Sequence, residues 1–173
     1  MIKKFLDKWI TEIYIRRQIH KLIPIPIKIK CGDRFIYWND GVNEVINYSV
    51  DSFDEESEKE FDDYIEKTYG VDMNKYSFIF SLLHEIGHYM TIEQVDIQAE
   101  NVLRQLIHNS DNRENKAYFN LESEKLANDW AYWYFTSCFE ECKYFTRKVV
   151  PLIKYFYKNG QNRSGKFILV KGR

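Results

Sequence analysis

Apolar residues recur at helical spacing along most of this chain, three or four positions apart. The segments with this spacing are residues 2–19, 53–69, 74–90, 92–107 and about 120–142. Pro151 is expected to end or kink the run that follows, and a turn is expected over residues 159–165. The pattern therefore predicts a largely helical protein.

A short region near the start of the chain alternates apolar and other residues instead. Isoleucines occupy every second position over 25–29, between prolines and lysines, which is typical of an edge strand. Residues 34–38 and 42–50 are strand-like, and the Asn-Asp-Gly sequence at 39–41 is a strong hairpin signal. We therefore expect an α+β fold in which a small antiparallel sheet packs on a helical core.

Length and composition favour one globular domain over residues 1–173, with an amphipathic helix at about 2–20. Because 45% of the residues are hydrophobic, the chain can bury a core. The net charge of -1 gives no reason to predict direct nucleic-acid binding. No secretory signal, CxxC cysteine pair or membrane span is evident, so a cytoplasmic location is expected.

The pentapeptide His84-Glu85-Ile86-Gly87-His88 lies inside an apolar helical segment and carries candidate chemistry. Its two histidines are one helical turn apart, so both side chains leave the same face of the helix and can bind one metal ion. The glutamate between them can take a proton from water at that metal. This pattern predicts a Zn²⁺ site with His84 and His88 as ligands and Glu85 as catalytic base.

A catalytic zinc usually has three protein ligands, so a third must come from elsewhere in the chain. A downstream histidine of the extended motif is absent, because Gln94 stands at that position. His20 and His108 lack a recognised spacing and are poorer candidates. Glu124 is preferred, and Glu122, about 160° away around the same helix, is the reserve.

The helix around Glu124 has small residues where it would approach the metal. Ala127 and Ala131 share a face with Glu124 at helical spacing, which allows close packing against the helix that carries the histidines. Asn128 and Asp129 are candidates for orienting an imidazole, with Asn128 nearer the Glu124 face.

Together, the segments His84–His88 and Glu124–Ala131 resemble the ImmA/IrrE family of zinc metallopeptidases. The resemblance implies a zincin-like fold, zinc bound by His84, His88 and Glu124, and catalysis by Glu85. Members are intracellular proteins of bacteria, phages or mobile elements, and several cut helix-turn-helix repressors. It therefore implies a cytoplasmic endopeptidase whose protein substrate is a transcriptional repressor or another regulator.

Two further questions stay open at this point. During hydrolysis a negative charge develops on the carbonyl oxygen of the substrate, and a hydrogen-bond donor besides zinc often stabilises it. Tyr89, His108 and Tyr118 are candidates for this donor by residue type. The alternative to an enzyme is a non-catalytic, metal-stabilised protein that binds a regulator without cutting it.

Overall fold

The computed structural model describes residues 2–32, 34–49, 56–109 and 115–168, with side chains over 9–32, 34–49, 59–107, 117–153 and at 155. It is 73% helical and contains a three-stranded mixed sheet, which makes the fold α+β. The chain divides into two compact units, one formed by Met1–Glu55 with Glu140–Arg173 and the other by Glu56–Phe139. The prediction of a single domain stays a prediction.

The first unit begins with helix α1 and continues into the sheet. Helix α1 spans Ile2–Leu22, and the strands are β1 (Lys28–Gly32), β2 (Ile36–Asn39) and β3 (Glu44–Ser49). Strand β3 lies in the middle, antiparallel to β2 and parallel to β1. The predicted wholly antiparallel sheet is therefore wrong for β1.

The sequence signals explain the β2–β3 hairpin but not the pairing of β1. At the predicted hairpin, the Asp40 carboxylate accepts hydrogen bonds from the backbone N–H groups of Val42 and Asn43, and Gly41 adopts a positive φ of 82°. Alternation in β1 shows which face the strand buries, but it does not show which strand lies beside it. Strand β3, with Ile46 and Tyr48 fully buried, takes the central position.

The C-terminal helix of the chain is longer than the sequence predicts. The predicted helix over 120–142 is two helices, because α6 ends at Ser137 and α7 spans Phe139–Ile168. Helix α7 continues through Pro151 and through residues 159–165, so the helix does not end at the proline and the predicted turn is wrong. The predicted kink at Pro151 stays a prediction. Buried positions recur three or four residues apart on both sides of the proline, and their burial offsets the lost backbone hydrogen bond. These positions are Cys142, Phe145, Val149 and Ile153.

The regular elements of the second unit are all helical in its described residues. Its elements are α2 (Glu56–Tyr69), α3 (Met73–Thr91), a 3₁₀ turn (Ile92–Gln94), α4 (Ile97–Asn109), α5 (Asn115–Phe119) and α6 (Glu122–Ser137). The predicted segment 92–107 is thus interrupted before α4, where the Asp96 side chain accepts hydrogen bonds from the backbone N–H groups of Gln98 and Ala99 and caps the helix. Residues 53–55 of the predicted second helix lie outside the described residues.

Helix α3 is the centre of the second unit, and it packs along α6. Its aromatic residue Phe80 is fully buried, with its ring 6.4 Å from Phe61 and from Tyr69 and 6.1 Å from Phe135. This apolar packing stabilises the helix that carries the two histidines. Among the described helices, none combines the length and apolar character that crossing a bilayer requires.

We expect Phe80→Ala to lower the free energy of unfolding by about 3–5 kcal/mol, because it leaves a cavity among these rings. Met90→Ala, at a 45% exposed position of the same helix, should change it by no more than about 0.5 kcal/mol. Urea denaturation followed by circular dichroism measures both. Equal effects of the two substitutions would contradict the central position of Phe80.

Candidate metal centre

Three side chains from α3 and α6 bring one donor atom each to a common point. The Nε2 atoms of His84 and His88 are 3.1 Å apart. The Oε2 atom of Glu124 lies 3.3 Å from Nε2 of His84 and 3.5 Å from Nε2 of His88. These two imidazoles and one carboxylate form a group that can hold a metal ion.

The spacing of the donor atoms fits the size of a small divalent cation. Bonds of about 2.0–2.1 Å in a tetrahedral site place neighbouring ligand atoms roughly 3.3–3.4 Å apart. The three observed separations, 3.1, 3.3 and 3.5 Å, lie around that value. Two imidazoles with one carboxylate are also a ligand set that proteins use for catalytic zinc.

A glycine allows the two ligand-bearing helices to approach this closely. A Cβ atom placed on Gly87 would lie only 2.8 Å from Cα of Ala127 and closer still to its carbonyl oxygen. Ala127 is itself fully buried, so a larger residue at either position would push α3 and α6 apart. Gly87 lies one residue from His88, so this contact sets the separation of the histidines from Glu124.

Asn128 orients the ring of His84. Its Oδ1 atom lies 2.8 Å from Nδ1 of His84, and because an amide oxygen only accepts, the imidazole must donate from Nδ1. In the neutral ring this leaves a lone pair on Nε2, the atom that faces His88 and Glu124. The edge of the Phe61 ring packs against the same imidazole, with ring centroids 5.2 Å apart.

The second oxygen of Glu124 is bound by an arginine from α4. The Nη2 atom of Arg104 donates to Oε1 of Glu124 at 2.9 Å and to Oε1 of Glu100 at 2.8 Å. Glu100 also accepts hydrogen bonds from the hydroxyl and the backbone N–H of Ser123, the residue before the ligand. The Arg104 guanidinium lies over the Tyr118 ring and donates to its hydroxyl at 2.9 Å.

The charges of the group favour a cation between the three donors. Burial alone would raise the pKa of Glu124, but hydrogen bonds and charge interactions with His84 and His88 lower that pKa well below its usual value. Burial alone would lower the pKa of His84, yet the hydrogen bond to Glu124 and the charge of Glu85 raise it overall. The carboxylate therefore stays ionised and attracts positive charge to the point between the nitrogens.

Burial and charge also shape the groups around Arg104. Burial raises the pKa of Tyr118 to about 12, so its hydroxyl stays protonated at neutral pH. Burial would raise the pKa of Glu100 as well, but the hydrogen bonds from Ser123 and Arg104 outweigh it and lower that pKa below its usual value. Glu100 is therefore a carboxylate, and its charge offsets that of Arg104.

The remaining predicted residues occupy different positions around the centre. Glu85 is half-buried, and its charge acts on His84. Asp129 accepts a hydrogen bond from the Tyr69 hydroxyl at 2.7 Å, on an exposed part of α6, whereas Asn128 contacts an imidazole. Tyr118 accepts a hydrogen bond from Arg104 and also interacts with the Glu124 carboxylate.

The other candidates differ in their burial and in their place in the chain. Tyr89 is half-buried on α3, and Glu122 and His20 are exposed, the latter in the first unit. The side chain of His108 lies outside the described residues. The roles of Tyr89, Tyr118 and His108 as oxyanion donors stay predictions.

Sequence reasoning missed Arg104, Glu100 and Ser123. Glu100 and Arg104 are four residues apart, a spacing that usually marks an exposed ion pair on a helix surface. The pattern therefore gave no signal that Glu100 is buried and that Arg104 reaches a second carboxylate.

No protein-family model matches this sequence, and no curated protein and no solved structure matches the chain.

We expect Gly87→Ala to lower the free energy of unfolding by roughly 1–3 kcal/mol, because the added methyl group meets the Ala127 backbone. Helix propensity alone predicts the opposite, since alanine in a helix is more favourable than glycine by about 0.5–1 kcal/mol. The sign of the change in a urea titration decides between these expectations. A more stable Gly87→Ala protein would contradict the close helix contact.

We expect Asn128→Ala to weaken metal binding about 10- to 100-fold, because the His84 ring loses the partner that orients it. Asp129→Ala removes a neighbouring side chain that contacts Tyr69 instead and should leave the affinity unchanged. Competition with a chromophoric chelator measures both dissociation constants. Equal losses in the two variants would indicate a general effect on α6 and would contradict the orienting contact.

Proposed function

We propose that this protein is a zinc-dependent endopeptidase of the zincin type, with Glu85 as its general base. The observation that carries the proposal is the triangle of donor atoms from His84, His88 and Glu124 beside that glutamate. The HExxH spacing on α3 and the ligand set both favour zinc over other divalent ions. The resemblance to the ImmA/IrrE family supports the same assignment.

The chain's own groups divide the chemistry between them. Zinc at this site would act as a Lewis acid toward a substrate carbonyl and bring the pKa of a bound water to about 7. Glu85 takes the proton from the attacking water and transfers it to the leaving amine. Asn128 keeps the His84 ring in the tautomer that has its proton on Nδ1 and a lone pair on Nε2.

Exposed apolar side chains on α4 favour a protein as the binding partner over a small molecule. Val102, Leu103 and Leu106 of α4 are each at least half exposed, and they lie within about 100° of the helix circumference. Arg104, which contacts Glu124, projects from the same helix about 100–160° away from these three residues. Clustered apolar exposure of this kind is typical of protein-binding surfaces.

The substrate we propose is an intracellular regulator, with a helix-turn-helix repressor as the first candidate, and the location we propose is the cytoplasm. Both rest on the family resemblance of the two motifs. A non-catalytic protein that binds such a regulator is the competing function, and the two differ in what Glu85 does.

We expect Glu85→Gln to retain zinc but to reduce peptide-bond hydrolysis about 10²- to 10⁴-fold, because the amide cannot accept the proton. The purified proteins are incubated with a cell extract, and newly formed N-termini are labelled and identified by mass spectrometry. Wild type should generate new N-termini, a chelator should abolish them, and added zinc should restore them.

Glu122→Gln is the matched control, because it neutralises an exposed glutamate near the third ligand. It should leave hydrolysis unchanged. The Glu85→Gln protein should also retain substrate on an affinity column. Captured regulator that wild type binds without cutting would favour the non-catalytic function, and undiminished hydrolysis by Glu85→Gln would refute the general-base role.

A further inference from the structure

The outer oxygen of Glu124 faces away from the histidines and is already bound. Oε2 faces the two Nε2 atoms, while Oε1 accepts a hydrogen bond from Nη2 of Arg104 at 2.9 Å. The two oxygens of one carboxylate therefore have different partners from different helices. Oε2 is therefore the oxygen that faces the metal position, while Oε1 faces the arginine.

The arginine is itself held in place from three directions. Glu100 Oε1 accepts from both Nε and Nη2 of Arg104, at 3.0 and 2.8 Å. Nη2 also lies 2.9 Å from the Ser123 hydroxyl, and Nη1 donates to the Tyr118 hydroxyl at 2.9 Å. A guanidinium with this many partners has little freedom to leave Glu124.

Burial separates this arrangement from an ordinary surface ion pair. The side chain of Arg104 is 34% exposed, but those of Glu100 and Glu124 are only 9% and 3% exposed. Hydrogen bonds to a buried carboxylate are stronger than those to one in water, and losing one partner is costly. The pair formed by Arg104 and Glu100 adds no net charge, so it orients Glu124 without repelling a cation.

We propose that Arg104, held by Glu100, is a positioning residue that keeps Glu124 as a single-oxygen ligand of the metal. This inference rests on the proposed zinc site and adds a residue set that the HExxH motif and the glutamate helix do not contain. By directing Oε1 toward itself, Arg104 favours metal binding through Oε2 alone and keeps a coordination position for water. A lysine cannot reproduce this fully, because one ammonium nitrogen would replace the three nitrogens with which Arg104 contacts Glu100, Glu124 and the Tyr118 hydroxyl.

The test compares the full-length wild type with two variants. Arg104→Gln/Glu100→Gln removes both charges and leaves the net charge unchanged, whereas Arg104→Lys keeps the charge and loses the fork. The control, Lys143→Gln/Glu140→Gln, removes an ion pair whose side chains are 40% and 72% exposed. Zinc affinity is measured by competition with a chromophoric chelator. The visible absorption spectrum of the Co²⁺-loaded protein reports coordination number.

We expect the double variant to bind zinc about 10- to 100-fold more weakly than wild type, and Arg104→Lys to fall between them. The Co²⁺ spectrum of the double variant should lose intensity, as a four-coordinate site becomes five-coordinate when Glu124 binds through both oxygens. The control should match wild type in both measurements. A double variant with wild-type affinity and spectrum would overturn the inference.

Circular dichroism of the metal-free proteins identifies any variant that does not fold. If the double variant is unfolded, Arg104→Lys decides, and wild-type affinity and spectrum in that protein would overturn the inference. A wild type that binds zinc but forms no new N-termini overturns the peptidase proposal, while weakened zinc binding by the variants still supports the positioning role. A wild type without measurable zinc affinity overturns both.

Discussion

The close contact between α3 and α6 is the constraint on which the metal centre depends. Two ligands come from one helix and the third from the other, so the donor atoms meet only if the helix backbones nearly touch. Gly87 permits this, because a side chain there would overlap the backbone of Ala127. A glycine inside a helix costs some helix stability, and the chain recovers this through the apolar packing of α3.

Burial of the third ligand creates a second requirement. A carboxylate that is 3% exposed must have a partner for each oxygen, because an unpaired buried charge is strongly unfavourable. Two imidazoles face one oxygen of Glu124, and Arg104 faces the other. The partly buried guanidinium is in turn paired with the Glu100 carboxylate. Because Arg104 and Glu100 both lie on α4, burial of Glu124 makes α4 part of the metal centre. The contacts of α6 and α4 thus belong to one electrostatic network.

The neighbouring residues Asn128 and Asp129 show how strongly position on a helix decides a role. Both are polar and both follow Glu124 by about one turn. Asn128 is fully buried and faces His84, whereas Asp129 lies on an exposed part of the helix and accepts from Tyr69. Consecutive helical residues point about 100° apart, and this difference is enough to turn Asn128 toward His84 and Asp129 toward Tyr69. The buried residue is the uncharged one, which avoids placing a further carboxylate beside Glu124.

The sequence by itself determined the local features: helical periodicity around the HEIGH segment, the hairpin turn at 39–41, and the shared face of Glu124 and Ala127. These depend on residues within a few positions of one another, so one-dimensional spacing contains them. Only the tertiary structure decided that β1 lies parallel to β3, that α7 continues through Pro151, and that Arg104 reaches Glu124 across 20 residues of chain. Strand order, helix length and buried ion pairs depend on which distant surfaces meet, and the free energy of that packing outweighs local signals such as a proline or an ion-pair spacing.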